Sequence, residues 1–388
     1  MTLIHRFAVR RQFVLAVSLA LGPALGFSGA AQAQATVKVG TIFPLSGGAG
    51  PQGQHVTHAI AAMAALINES GGVLGKKIEL VSRDDESTPA VGISRATELV
   101  SAGVAVIIEG WNSPVTLAMQ PVLARAGVLD ITAISKADPI LSGEGNPLAI
   151  RLNSSNSQDG AVIANYIASV KAKRIAFLTQ NDAYGNGAQA SIEGELKKMG
   201  YAYEKVAEEK FPFAQADFRV SLTNVRAANP DLTVAINANE GMGQPAIIRQ
   251  ARQSKLPGVL VAAVGTVAPS VIEVAGEAAN GVVGADIYFP QIEPFVSNPA
   301  NQRFVAKTQE LFKHTPDKFM ALGATALQVW ALAANELKTL DREAIAKRIR
   351  GGSFKGTVMG DISFEANGQL GSKHYLFTVQ GGKIAVQK

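Results

Sequence analysis

Cysteine is absent from the 388 residues. That excludes disulfides, thiolate metal sites and a cysteine nucleophile. Aromatic residues are scarce at 6%, with only 2 Trp and 6 Tyr. The five histidines are His5, His55, His58, His314 and His374, and their spacing matches no metal-binding helix signature. His55 and His58 read as a solvated first helical turn. There is no G-x-S-x-G elbow and no P-loop. These absences leave no catalytic residue, no metal ligand and no cofactor to nominate. The expectation is a protein that makes and breaks no bond.

Acidic residues are missing from the start of the chain, where none precedes Glu69. Arg6, Arg10 and Arg11 form a positive segment ahead of the apolar run from Phe13 to Phe27. Small residues then alternate over Gly29-Ala30-Ala31-Gln32-Ala33-Gln34-Ala35. This is the pattern of a signal peptide over residues 1–33, cut after Ala33 or Ala35. The apolar run is short for a membrane span. Arg10-Arg11-Gln12-Phe13-Val14 resembles a twin-arginine signal but lacks the preceding Ser or Thr, so both Sec and Tat export stay open. No Cys follows to carry a lipid. Export without cysteine points to a bacterial periplasm.

Removing 33 residues from 388 leaves 355, enough for two domains. Losing the three arginines lowers the formal charge from +5 to +2. A nearly neutral mature chain gives no reason to expect nucleic acid or an anionic membrane as partner.

What remains alternates strand and helix. β-branched runs at Val37–Phe43, Lys77–Ser82, Val104–Ile108 and Val128–Ile131 are separated by helical patterns. These cover His55–Asn68, Pro89–Ser101 and Pro114–Arg125. The rhythm repeats, with helices at Ala161–Lys171, Gly187–Met199, Phe218–Ala228, Gln244–Gln253 and Pro269–Ala278. Strands fall at Arg174–Thr179, Leu232–Ile236 and Val259–Val264. Such repetition implies parallel sheets covered on both faces, hence two doubly wound α/β lobes. The last third has helices at Asn298–Lys313, Ala321–Lys338 and Arg342–Ile349, then strands at His374–Val379 and Lys383–Val386 joined by Gly381-Gly382. Three crossovers between lobes are expected, near Arg151–Asn156, Val283–Ile287 and Gly360–Glu365. They divide the chain into a first lobe at 34–153, a second lobe at 154–283, a return to the first at 284–362, and final second-lobe strands at 363–388.

Gly48-Ala49-Gly50-Pro51-Gln52-Gly53 matches G-x-G-x-x-G, with Asp84 ending the next strand. A nicotinamide-dependent oxidoreductase is disfavoured, because the loop after Phe43 is long for that turn and the acid is too far along. Asp84-Asp85-Glu86 reads as solvent-facing rather than a magnesium site. The glycines have a simpler use. They let backbone N–H groups at a helix N-terminus approach an anion or a carbonyl oxygen. Trp111-Asn112-Ser113 opens a second such helix, and both loops follow strand carboxyl ends, where open sheets bind ligands. Ser113 is a helix cap or a ligand contact, or both. Trp111 is either core or cleft wall.

The order of these segments is similar to a known family. Leu45-Ser46-Gly47 through Gly53, Asn68-Glu69-Ser70-Gly71-Gly72-Val73-Leu74-Gly75 and Asp84-Asp85 come first. Gly110–Ser113, Asp182-Ala183-Tyr184-Gly185-Asn186-Gly187, Ala214–Phe218 and Arg249–Arg252 follow, then Gly356–Gly360 and Asn367-Gly368. Together they resemble the branched-chain amino-acid and amide type of solute-binding proteins of ABC importers, the type I periplasmic binding proteins, across the whole mature chain. The resemblance implies two lobes joined by three crossovers, a small polar solute in the cleft, and a membrane permease as partner of a monomer. An exported sensor that presents solute to a receptor is the alternative.

The resemblance also implies site positions. Gln52 comes from the first loop. Asn112 or Ser113 supplies a hydroxyl-type contact, with Pro114 blurring the match. Ala133 and Ser135 offer a carbonyl and a hydroxyl, and Tyr184 is the second-lobe aromatic. Asn237 and Asn239 are either site residues or turn formers. Lys136 and Asp138 read as solvated. Members that bind amino acids carry an acid in the loop where this chain has Gly265-Thr266-Val267. With Thr266 there instead, either the solute is not an ordinary α-amino acid or Glu240 substitutes for the missing carboxylate.

Overall fold

The computed structural model describes residues 35–142 and 146–387. The expected leader over residues 1–33 lies outside them. Two parallel sheets dominate. The first contains β1 (Thr36–Phe43), β2 (Lys77–Asp84), β3 (Val106–Glu109), β4 (Asp130–Thr132) and β5 (Ala149–Arg151), ordered β2-β1-β3-β4-β5. All its pairings are parallel. The second contains β6 (Arg174–Gln180), β7 (Glu204–Phe211), β8 (Leu232–Ile236), β9 (Val259–Ala262) and β10 (Val283–Asp286), ordered β7-β6-β8-β9-β10. Numbered within itself, each sheet has the order 2-1-3-4-5. Its switch point falls where the first and third strands separate, and there the loops leaving the strand carboxyl ends diverge.

Helices cover the sheets. In the first half they are α1 (Gly50–Glu69), α2 (Pro89–Ser101) and α3 (Ser113–Arg125). Around the second sheet they are α4 (Asn156–Ser169), α5 (Ala183–Lys198), α6 (Arg219–Ala227), α7 (Gly243–Gln253) and α8 (Pro269–Ala275). The chain then forms α9 (Pro299–Phe312), α10 (Lys318–Leu337) and α11 (Arg342–Ile349). Both α9 and α10 pack on α1, so they belong with the first sheet. An antiparallel pair, β11 (Ser353–Thr357) and β12 (Gly360–Ser363), follows. Last come β13 (Tyr375–Gln380) and β14 (Lys383–Val386), which add antiparallel to the free edge of β10.

Three details depart from the sequence reading. Val283–Asp286, read as a crossing, is a fully buried strand of the second sheet, so the chain passes back only after Asp286. β7 leaves no strand signal in the sequence because it is an edge strand rich in Glu and Lys, whose exposed positions hide any apolar alternation. His55 and His58 are not simply solvated. His55 lies 4.1 Å from His314 between ring centroids, and His58 stacks on Phe312 at 4.3 Å.

Trp330 on α10 is fully buried in the first lobe's core. Truncation to Ala leaves a large cavity between α10 and its neighbours and should cost about 3–5 kcal/mol, measured by urea unfolding.

Behind the cleft loop, Glu109 and Asp130 lie fully buried on adjacent strands with no basic partner among the described residues. Thr116 donates to Glu109 at 2.7 Å and Gln120 donates to Asp130 at 2.7 Å. Burial pushes the Asp130 carboxyl up to about 7, and burial with the neighbouring Asp130 pushes Glu109 well up. A raised acid holds its proton in the folded chain but not in the unfolded one. Its contribution is present at low pH and is lost as pH rises from about 4, the ordinary aspartate value, through the raised one. Asp130→Asn should therefore lose less of its urea midpoint between pH 5 and pH 8 than the wild type does. An unchanged pH difference would contradict this assignment.

Candidate functional site

The loops at the strand carboxyl ends of both sheets converge on one cavity. From the first sheet, Trp111, Asn112 and Ser113 follow β3, and Ile134 and Lys136 follow β4. Lys318 and Phe319 begin α10. From the second sheet, Gln180 ends β6 and Asp182 and Tyr184 follow it, Ala238 and Glu240 follow β8, and Val264, Gly265 and Thr266 follow β9.

Glycine makes both entry turns possible. Gly110 has φ +101, and a Cβ there would lie 2.3 Å from the Thr132 hydroxyl. A Cβ on Gly185 would lie 1.9 Å from the Gln180 carbonyl oxygen, so only glycine lets the Tyr184 turn close on β6. Asp182 caps α5 by accepting from Gly185 N–H at 2.9 Å.

On the first-lobe side, Asn112 is the N-cap of α3 but its side chain makes no cap bond. Its Nδ2 is buried with no partner among the described residues. Ser113 is the first helical residue rather than the cap. Its oxygen accepts from Lys136 N–H and Ala137 N–H, both at 3.2 Å, which leaves its own proton uncommitted. Trp111 packs on Phe319 at 5.0 Å between ring centroids and makes an apolar wall.

Lys136 corrects the expectation of a solvated side chain, since it is 5% exposed. Its ammonium lies 2.5 Å from Asp159 Oδ2, and donates to the Val264 carbonyl at 2.9 Å and to Ser154 Oγ at 3.3 Å. His374 lies 2.9 Å from the other Asp159 oxygen. Burial raises the Asp159 carboxyl, but Lys136 and His374 together pull it down to about 2. Burial also lowers Lys136, and Asp159 opposes that shift. Lys318, 4% exposed, donates to the Gly265 carbonyl at 3.1 Å and stands 3.6 Å from Asp286.

On the second-lobe side, Glu240 is buried with Oε2 unpartnered, and burial pushes its carboxyl well above the usual range while Lys318 opposes the shift. Tyr184 is 5% exposed and its hydroxyl has no hydrogen-bond partner among the described residues. Burial raises it strongly, and Asp159, Glu240 and Asp182 add to the shift.

Of the sequence-derived candidates, Trp111, Asn112, Ser113, Tyr184 and Thr266 border the cavity. The other five stand behind it. Ala133 is fully buried in the core, and Ser135 pairs with Thr116 at 2.8 Å. Asn237 and Asn239 fold their own loop, the first accepting from Asn239 N–H at 2.7 Å and the second bonding Phe213 and Met242. Gln52 lies against Gly241, where a Cβ would approach its Nε2 to 2.6 Å, so it bridges the lobes outside the cavity wall. Asp84 is no nucleotide ligand in this setting, because it accepts from Leu45 N–H at 2.8 Å and Glu86 N–H at 2.8 Å and fastens the glycine loop. Reading α10 from Ala321 hid Lys318 and Phe319. The missed signal was Asp317, which caps the helix by accepting from Met320 N–H at 2.9 Å.

Comparison with known proteins agrees with this geometry. The profile of the family described as "Periplasmic binding protein" matches residues 36–383. The Leu/Ile/Val-binding protein of Citrobacter freundii is 30% identical over 336 residues, covering 86% of this chain and 88% of that one. A leucine binding protein from Thermotoga maritima MSB8 superposes with TM-score 0.79 at 26% identity, covering 91% of this chain and 98% of that one. A solute binding protein of an ABC transporter from Rhodopseudomonas palustris BisB5, in complex with 3,4-dihydroxybenzoic acid, superposes with TM-score 0.80 at 25% identity over 90% and 95% of the two chains. With two sheets of matching strand order, one cavity between their carboxyl ends and a family match over nearly all the described residues, the chain belongs to the periplasmic binding protein family.

Proposed function

We propose that this chain captures a small organic acid in the periplasm and delivers it to the membrane permease of an ABC importer. The observation that carries the reading is a pair of buried, unpartnered polar atoms in the walls of one cavity: Asn112 Nδ2, a donor, and Glu240 Oε2, an acceptor. A buried polar group without a partner costs roughly 1–3 kcal/mol, so each is a place for a solute atom.

The donor side suits a carboxylate. Asn112, the free Ser113 proton and the N-terminus of α3 all favour negative charge. Glu240 suits a donor at the solute's other end, either an ammonium or a hydroxyl. Trp111 and Phe319 would cover the apolar body between. Branched-chain amino acids and hydroxylated benzoic acids both meet these requirements, and such solutes are named for the relatives above. Glu240 keeps amino acids within the class although Gly265-Thr266 carries no acid. Closure of the second lobe brings Tyr184 over the solute and excludes water. The leader would route the chain to the periplasm, where it acts without covalent chemistry and as a monomer.

Calorimetric titration with leucine, isoleucine, valine, 4-hydroxybenzoate and 3,4-dihydroxybenzoate should give one-to-one binding for at least one acid. Failure of every acid, with binding of an uncharged solute instead, would contradict the reading. Tyr184→Phe should weaken that acid by about 10-fold, the loss of one buried hydrogen bond, with an unchanged circular dichroism spectrum. For an amino acid, Glu240 must be ionised in the complex. Since burial raises its carboxyl in the free protein, affinity should climb as pH rises through that raised value. A hydroxybenzoate should show no such rise.

A further inference from the structure

Two lysines reach the cavity from the first lobe, and their surroundings differ in one respect. Lys136 has three acceptors for its three protons: Asp159 at 2.5 Å, the Val264 carbonyl at 2.9 Å and Ser154 at 3.3 Å. An ammonium has no fourth proton to give. Lys136 is therefore complete without a solute.

Among the described residues Lys318 has one acceptor, the Gly265 carbonyl at 3.1 Å. Asp286 Oδ1 is 3.6 Å away, beyond hydrogen-bond reach, and that oxygen accepts from Ile287 N–H at 2.8 Å. The Phe319 ring lies 4.0 Å from the ammonium and offers its face but no lone pair. Two protons of a nearly fully buried ammonium thus lack acceptors beside the cavity. Glu240, on the opposite wall, leaves Oε2 unpartnered rather than pairing with Lys318.

We propose that Lys318 is the specificity-determining residue for the anionic group of the solute, donating both free protons to its carboxylate. This deepens the organic-acid reading and rests on it. A buried ammonium with acceptors missing strongly favours a ligand that brings negative charge and two oxygens, and penalises a neutral analogue that brings one oxygen and an opposing N–H pair. Gly265 fits the same account. A Cβ there would lie 1.8 Å from the Lys318 nitrogen, so a side chain at position 265 would displace the ammonium from this place. Lys318 also holds a second-lobe carbonyl, so a carboxylate bound to it touches the group that joins the lobes.

The test compares acids with their primary amides, leucine against leucinamide and 3,4-dihydroxybenzoate against 3,4-dihydroxybenzamide, by calorimetry on the full mature chain. The wild type should prefer the bound acid over its amide by about 10- to 100-fold, the range of a charge-assisted hydrogen bond. Lys318→Met should lose that preference through weaker acid binding, with amide binding nearly unchanged. Lys318→Arg should retain most of it. Lys318→Gln, which can still donate to the Gly265 carbonyl, is the second neutral variant should Lys318→Met not fold, and it should behave as Lys318→Met. A neutral variant that keeps the wild-type preference overturns the role of Lys318 while leaving the organic-acid reading standing. A wild type that binds neither acid removes that reading and this proposal together.

Discussion

Two neighbouring carbonyls on one loop of the second lobe each accept from a lysine of the first. Val264 takes Lys136 at 2.9 Å, and Gly265 takes Lys318 at 3.1 Å. These contacts span the cleft, and much else follows from them. They draw the carboxyl ends of two sheets together and bury both ammonium groups. Burying charge requires partners, which accounts for Asp159 and His374 behind Lys136 and for Asp286 beside Lys318. What the protein does not supply, the solute must.

The polar groups around the cavity therefore divide into committed and uncommitted. Committed groups shape it. Asp182 fixes the Tyr184 turn, the Ser113 oxygen holds the loop at Lys136, and Thr266 donates to Ala263 at 2.9 Å. Uncommitted among the described residues are Asn112 Nδ2, the Ser113 and Tyr184 protons, two protons of Lys318, and Glu240 Oε2, and on the organic-acid proposal these meet the solute. The donors outnumber the acceptor, as the organic-acid proposal requires. Behind the first-lobe loop, Thr116 links Glu109 to Ser135, so the strand that delivers Trp111 and the loop that delivers Lys136 are tied to one buried hydroxyl.

The architecture was legible because parallel strands buried on both faces announce themselves as β-branched runs. Leu232–Ile236, Pro89–Ser101 and Arg342–Ile349 were read to the residue. β7 escaped because an edge strand carries charge, and β10 because a four-residue strand of Val, Gly, Ala and Asp resembles a loop. At the site, residues next to a strand end or a helix start, such as Ser113 and Tyr184, could be nominated from local pattern. Lys136 and Lys318 could not. Lysine is solvated in most settings, and only the approach of the other lobe makes these two buried. The loop of Asn237 and Asn239 was open to both readings in the sequence. Asparagine suits both turns and ligands, and here the local hydrogen bonds use it for the turn.

A crystal structure of the mature protein with its tightest-binding small acid tests the central claim most directly. The account predicts one solute in the cleft, its carboxylate within 3.2 Å of Lys318 Nζ and its opposite end on Glu240, at ordinary hydrogen-bond distances. Density for the acid outside the cleft, or Lys318 and Glu240 paired directly with no solute between them, would contradict it.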